Sequence, residues 1–426
     1  MLPKTVNPLL RVGAVFALAM SVIPTGLLAQ VSFYSAPPPS DVGNNVGRNE
    51  STEDSAPVDL GIFSRKPFTF TFAVREGFDD NVFTTTYDKT SSFYTNIAGG
   101  INYGFGGPRL QLTSSLNGGM TYYYTRPGDK VDYNGTFSLN AVYLATQRLT
   151  LTLNTSTAYL AQPDLSIVGG PDRQNGDYIY STTSISAAYQ WSEKFSTVTS
   201  YNFTVLYYVD SNLNDNQGHI EQTISQSARW LLLPKTTLVA EYRFNPNTYF
   251  EANLNSYNNF FLVGVDQIFN PRFKWSARAG LQVGFDDNPD DGDSVYVGPY
   301  AESTLTYQAG RSTNLFWNLR YGTEASGLNN VTQRQTFRTG VGISQALTRR
   351  ISLNLGANYQ CNYYDQNNVI DSFYENIFDV SVALNFQVVR YASLQVGYQF
   401  TADLAPEDTG RRYTRNVAFV GANFAF

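Results

Sequence analysis

The stretch Asn416-Val-Ala-Phe-Val-Gly-Ala-Asn-Phe-Ala-Phe426 alternates residue by residue. Phe426, Phe424, Ala422, Val420 and Ala418 make one row and Ala425, Asn423, Gly421 and Phe419 the other, the two-residue period of a β-strand. Chain ends are ordinarily polar and frayed unless something ties them down, so an aromatic ending inside a strand predicts a partner edge. The partner expected is the first strand-like stretch, Phe68-Thr-Phe-Thr-Phe-Ala-Val74, in which Phe68, Phe70, Phe72 and Val74 alternate with Thr69, Thr71, Ala73 and Arg75. The two stretches are expected to run antiparallel and to close a sheet on itself, with Phe426 at its rim.

Between these ends the same alternation recurs. Leu149, Leu151 and Leu153 oppose Thr150, Thr152 and Asn154; Phe273, Trp275, Ala277, Ala279, Leu281, Val283 and Phe285 oppose Lys274, Ser276, Arg278, Gly280, Gln282 and Gly284. Ile351, Leu353, Leu355, Ala357, Tyr359 and Cys361 oppose a row of Ser, Asn, Gly and Gln. Such runs extend to about a dozen residues, whereas strands of soluble domains average about 5–6 and membrane-spanning strands need about 9–11. Short breaks fall at Arg109, Arg148, Lys194, Lys235, Arg272, Arg311, Arg349-Arg350 and Arg390, and longer ones between them, as at Thr84 to Ser92, Gln162 to Asp177, Asp286 to Ser294 and Ala402 to Gly410. Eight short turns alternating with nine longer loops imply about eighteen strands, with the short turns facing the periplasm. A soluble propeller also repeats every 40–45 residues, but its blade punctuation is missing and these strands are too long. The fold class expected is all-β: an antiparallel transmembrane β-barrel spanning residues 67–426.

Composition agrees. Charged residues are 15% of 426 and aromatics another 15%, with 30 Tyr and 29 Phe, against about 25% charged in ordinary globular chains. Past the first thirty residues no run of about 18 apolar residues could form a membrane helix, and alternation hides the apolar half from any window average. Residues 1–29 read as a signal peptide, with Lys4 and Arg11, the apolar Val12 to Ile23, and Leu27-Leu28-Ala29 before a cleavage point. Residues 30–66, rich in Pro and polar residues, read as a disordered periplasmic leader. The lone Cys361 excludes an internal disulfide, and a net charge of −6 argues against nucleic acid.

Tyr122 to Tyr124, Tyr207, Tyr208, Tyr363 and Tyr364 on the loop side, and Tyr189, Trp191 and Trp230 on the turn side, suggest two interfacial belts. If the apolar row meets lipid, the other lines a pore. Its charged candidates are Arg75, Glu221, Arg229, Glu241, Arg243, Asp266, Lys274, Arg278, Glu302, Arg320, Glu324, Arg338, Glu375, Asp379 and Arg415. Apart from Arg75, the first seven strands read as a neutral wall of Asn, Gln, Ser, Thr and Gly. Signs alternate between neighbouring strands further on, so pairing across the wall is expected, with a transverse field as the functional alternative and weak ion selectivity in either case. The only histidine, His219, is expected at a surface edge, which leaves hydrolytic catalysis without a base.

The terminal strand resembles the closing strand of bacterial outer-membrane barrels, in which a C-terminal Phe is the signal read by the insertion machinery; that resemblance implies a barrel-closing signal at Phe424 and Phe426. The opening stretch Glu76-Gly-Phe-Asp-Asp-Asn-Val-Phe83 is similar to that of the β-barrel porin 2 family of outer-membrane proteins. This resemblance implies an outer-membrane location, and some relatives are associated with exopolysaccharide export. GFDDN recurs at Gly284 to Asn288 without the trailing Phe, leaving Asp286, Asp287, Asp290, Asp291 and Asp293 as a loose cation-binding loop; the spacing does not fit an EF-hand. The function expected is passive diffusion of small hydrophilic solutes, with export or a structural, adhesive barrel as alternatives. No cofactor and no dedicated metal site are expected. Outer-membrane lipid, lipopolysaccharide, the barrel-assembly machinery, polar solutes or oligosaccharide, and further copies of the chain are the expected partners.

Overall fold

The computed structural model describes residues 68–161, 176–250, 255–287, 294–310, 312–325, 333–365 and 372–426. The signal peptide, the leader, most of the 162–177 loop, Arg311 and Asp290, Asp291 and Asp293 lie outside these residues, as does the side chain of Asp287.

Eighteen strands follow in chain order: β1 (Phe68–Asp79), β2 (Ser92–Gly106), β3 (Leu110–Tyr123), β4 (Val131–Leu144), β5 (Leu149–Leu160), β6 (Tyr178–Gln190), β7 (Phe195–Tyr208), β8 (His219–Leu233) and β9 (Thr236–Tyr249). The second half comprises β10 (Asn255–Asn270), β11 (Phe273–Asp287), β12 (Ser294–Ala309), β13 (Thr313–Ala325), β14 (Gln333–Ala346), β15 (Ile351–Tyr364), β16 (Phe373–Val389), β17 (Ala392–Asp403) and β18 (Tyr413–Ala425). Each pairs antiparallel with its neighbours in sequence, and β1 pairs with both β2 and β18, so the sheet closes. In the seam Phe72 faces Phe424 and Val74 faces Ala422. Phe70 and Phe426 exchange both backbone hydrogen bonds, at 3.1 and 2.9 Å.

Residue types explain the hairpins. At three of the short turns a hydroxyl caps the returning strand: Thr146 Oγ1 accepts from the backbone N–H of Arg148 and Leu149, Thr348 Oγ1 from Arg350 and Ile351, and Ser192 Oγ from Phe195. Register shifts occur in β8, β10 and β16, each time in the last residues before a short turn, where a bulge lets a descending strand bend into its hairpin. One outer connection carries a helix that periodicity does not announce, α1 (Ser211–Gln217).

The outer surface is predominantly apolar. Phe68, Phe70 and Phe72 are 47%, 53% and 43% exposed, and Val263, Val295 and Val297 more so. A belt of that extent is untenable in water, where contiguous apolar patches rarely exceed a few hundred Å². It is the surface of a barrel in a bilayer, and an even strand count with short turns at one end and longer loops at the other places it in a bacterial outer membrane.

The interfacial tyrosines need one correction. Tyr122 is exposed but Tyr123, Tyr208 and Tyr364 are buried on the inward row. Adjacent strand residues point to opposite faces, so half of each Tyr doublet belongs to an inner collar at the loop end, with Tyr178, Tyr249 and Tyr413.

Candidate functional site: the inner wall

The inward row divides the lumen into two unlike halves. From β2 to β7 hydroxyl and amide side chains bond to one another along the wall: Asn96 Nδ2 donates to Thr121 Oγ1 at 2.9 Å, Ser115 pairs with Ser138 at 2.9 Å, and Asn117 Nδ2 donates to Thr136 Oγ1 at 3.3 Å. This face is hydrophilic and carries little charge.

From β8 to β12 the wall carries an alternating chain of ions. Arg229 and Arg278 both grip Asp266, at 2.5 and 2.7 Å, and Ser276 Oγ adds a third donor at 2.9 Å. Arg278 lies 3.8 Å from Glu241, which is bridged by Arg243 at 2.5 Å. Arg243 then reaches Glu302 with both terminal nitrogens, at 2.9 and 2.5 Å, while Tyr300 OH donates to the same carboxylate at 2.6 Å. Three guanidinium groups balance three carboxylates. All but Arg243 are almost fully buried, a situation tolerated when every charge is paired. Glycine makes room for one of these side chains: a Cβ at Gly264 would lie 2.5 Å from Arg278 Cδ.

Further round, Arg320 and Arg338 share Glu324 at 3.4 and 2.6 Å. Glu375, wholly buried, receives Arg411 at 2.5 Å, Asn362 at 2.7 Å and Tyr364 OH at 3.1 Å. At the seam Arg415 holds Asp79 at 2.5 Å.

Four of the charged candidates stand outside these ion pairs. Glu221 accepts from Asn245 at 2.9 Å, and Asp379 from Gln399 and Thr401 at 2.8 and 2.9 Å. Arg75 lies 3.5 Å from Asn423 and over the Phe419 ring, and Lys274 is exposed near the turn end of β11. Asp79, Asp132, which pairs with Arg126 at 2.7 Å, and Arg411 are charged wall residues that the charged candidates of the sequence do not include. Asp79 shares the parity of Arg75 four residues earlier, a signal that was available; Arg411 lies in a loop and offered none. His219 also differs from expectation. It is buried on the inward row, its Nδ1 2.8 Å from the Gln217 carbonyl and its ring against Tyr249, because as the first residue of β8 it shares the parity of inward Glu221 and faces Tyr249 on β9.

Electrostatic interaction also reaches across the lumen. Tyr180 on β6 interacts electrostatically with Glu221 on β8, Arg320 and Glu324 on β13 and Arg338 on β14. β6 and β13 lie seven strands apart in a ring of eighteen, so this interaction crosses the channel rather than following the wall. Tyr180 stands in the loop-side half of its strand, with Tyr178, Leu206 and Tyr208 packed around it.

Asp286 Oδ1 accepts from Gln333, so part of the acidic loop stretch is engaged in the wall, and among the described residues no group of His, Cys, Asp or Glu could hold a metal.

No family model matches the chain, and no curated protein matches it. Among solved structures it is similar to OccAB4 of Acinetobacter baumannii, with 12% identity over 85% of this chain and 99% of that one and a TM-score of 0.43. It is also similar to a BenF-like porin from Pseudomonas fluorescens, with 10% identity, 85% and 99% coverage and a TM-score of 0.45, and to the outer membrane protein opdK of Pseudomonas aeruginosa, with 7%, 84%, 99% and 0.43.

Proposed function

We propose that the protein is a passive outer-membrane channel for small hydrophilic solutes. The observation that carries this reading is the closed eighteen-strand wall with an apolar exterior and a hydrophilic interior; sheets of 16–18 strands enclose aqueous channels. Solutes entering from outside pass Tyr180, with hydroxyl and amide partners on one side and charge-compensated ion pairs on the other. Because those pairs cancel, the channel discriminates weakly between cations and anions. Membership of the β-barrel porin 2 family is part of the proposal and rests on the EGFDDNVF stretch alone.

Planar-bilayer recording tests it. A stable open conductance with little ion preference is expected, and Tyr180→Ala should raise it. A folded barrel with no conductance, before and after that substitution, would instead favour a structural role, and oligosaccharide binding to a closed barrel would favour polysaccharide export.

A further inference from the structure

The outer wall is not uniformly apolar. On β5 to β8 the lipid-facing row carries hydroxyl and amide side chains: Thr155, Thr183, Thr199, Tyr201 and Gln226 in the middle stretches of their strands and Gln222 nearer the loop end. They pair within the sheet. Thr155 meets Thr183 at 2.5 Å, Thr199 Oγ1 donates to Gln226 Oε1 at 2.6 Å, and Tyr201 OH donates to Gln222 Oε1 at 2.9 Å. Elsewhere on the exterior such pairs either include a Tyr or Trp, as in Trp317 with Thr339 or Tyr398 with Asn416, or lie at the turn end of a strand, as in Thr236 with Gln267 and Thr313 with Gln345.

Pairing satisfies the two glutamine oxygens but not their nitrogens. Among the described residues, neither Gln222 Nε2 nor Gln226 Nε2 has a hydrogen-bond partner, and Gln226 is exposed. Gln226 is the eighth of fifteen residues in its strand, hence at the middle of the membrane. Hydrocarbon supplies no acceptor at that depth and lipid headgroups lie too far away, so polar side chains there mark contact with protein. Small outward residues beside them, Ala187, Ala228 and Ala240, let another wall come close.

We propose that this flank is the interface of a homodimer, with β8 at its centre. Two copies inserted in the same direction can be related only by a two-fold axis along the membrane normal, which preserves depth. Gln226 then faces Gln226 of the second copy, and a carboxamide, being both donor and acceptor, is complementary to itself. Each amide N–H that lipid leaves unpaired gains a carbonyl acceptor.

Cross-linking in intact outer membranes tests the interface in a Cys361→Ser background. Gln226→Cys and Ile224→Cys, the latter retaining both glutamines, should give disulfide-linked dimers on oxidation with copper phenanthroline. Val396→Cys on β17, nine strands away and 55% exposed, should give none. Absence of dimer at both β8 positions, or equal yield at position 396, overturns the proposal. In native mass spectrometry the parent should have twice the monomer mass, and Gln222→Leu with Gln226→Leu should have the monomer mass while keeping the heat-modifiable mobility of a folded barrel. A monomeric parent, or a double variant that remains dimeric, overturns it equally.

Discussion

Removing the carboxylate of Asp79 should weaken the barrel at its seam. Asp79 is fully buried and accepts from Arg415 Nε at 3.2 and 3.1 Å, from Arg415 Nη2 at 2.5 Å and from the Asn81 backbone N–H at 3.0 Å. Beside it, Asp80 accepts from the backbone and side chain of Asn416 at 2.7 and 2.6 Å, and Asn81 Nδ2 donates to the Thr414 carbonyl at 3.0 Å. The Asp-Asp-Asn of the opening motif thus clasps the start of β18 to the end of β1. Deleting one partner of a buried ion pair costs about 3–5 kcal/mol, because the other charge is stranded. The Arg415 side chain keeps 17% exposure toward the lumen, which places Asp79→Ala at the lower end, about 3 kcal/mol. That is roughly a hundredfold in the folding equilibrium. Urea titration of the barrel refolded into detergent or thin bilayers, with the folded fraction read from gel mobility without boiling, measures it. Arg415→Leu added to Asp79→Ala should recover part of the loss, since no charge is then stranded. The exposed pair Arg412 with Glu407, at 3.2 Å, is the control, and its removal should cost about 1 kcal/mol or less. A change below ~0.5 kcal/mol for Asp79→Ala, the range of ordinary surface substitutions, would refute the clasp.

Three further outcomes are expected. Phe426→Asn should reduce the yield of folded barrel in the outer membrane without altering single-channel conductance, because the side chain is 60% exposed at the rim and outside the lumen; a normal yield counts against its role in insertion. Glu302→Gln removes one carboxylate from a balanced set of three Arg and three acids, so the reversal potential in a salt gradient should move toward anion preference, and an unmoved potential would show that the lattice does not face the permeation path. Gly77→Ala should destabilise by about 1–3 kcal/mol through overpacking, since a Cβ there would lie 2.4 Å from the Tyr94 ring, and Tyr94→Ala should relieve that loss in the same urea titration.

Much of the architecture is local in origin and was therefore legible residue by residue. Alternation assigned each strand an apolar and a hydrophilic row, basic residues marked the short turns, and the Phe-rich first strand pairs with the final one as expected. A bilayer demands an outward apolar row at every strand, which is why a two-residue period in the sequence suffices to read it. What alternation cannot carry is which inward groups meet. Arg243 passes over two strands to Glu302, Arg411 comes from a loop to Glu375, and Tyr180 faces charges seven strands away. Those contacts arise only when the sheet curves and closes, bringing residues far apart in the chain into one narrow lumen. The strands, their two faces and the seam belong to the sequence by itself; the charge lattice, the inner tyrosine collar and the reach of Tyr180 across the lumen belong to the tertiary structure, because closure alone sets the distances between them.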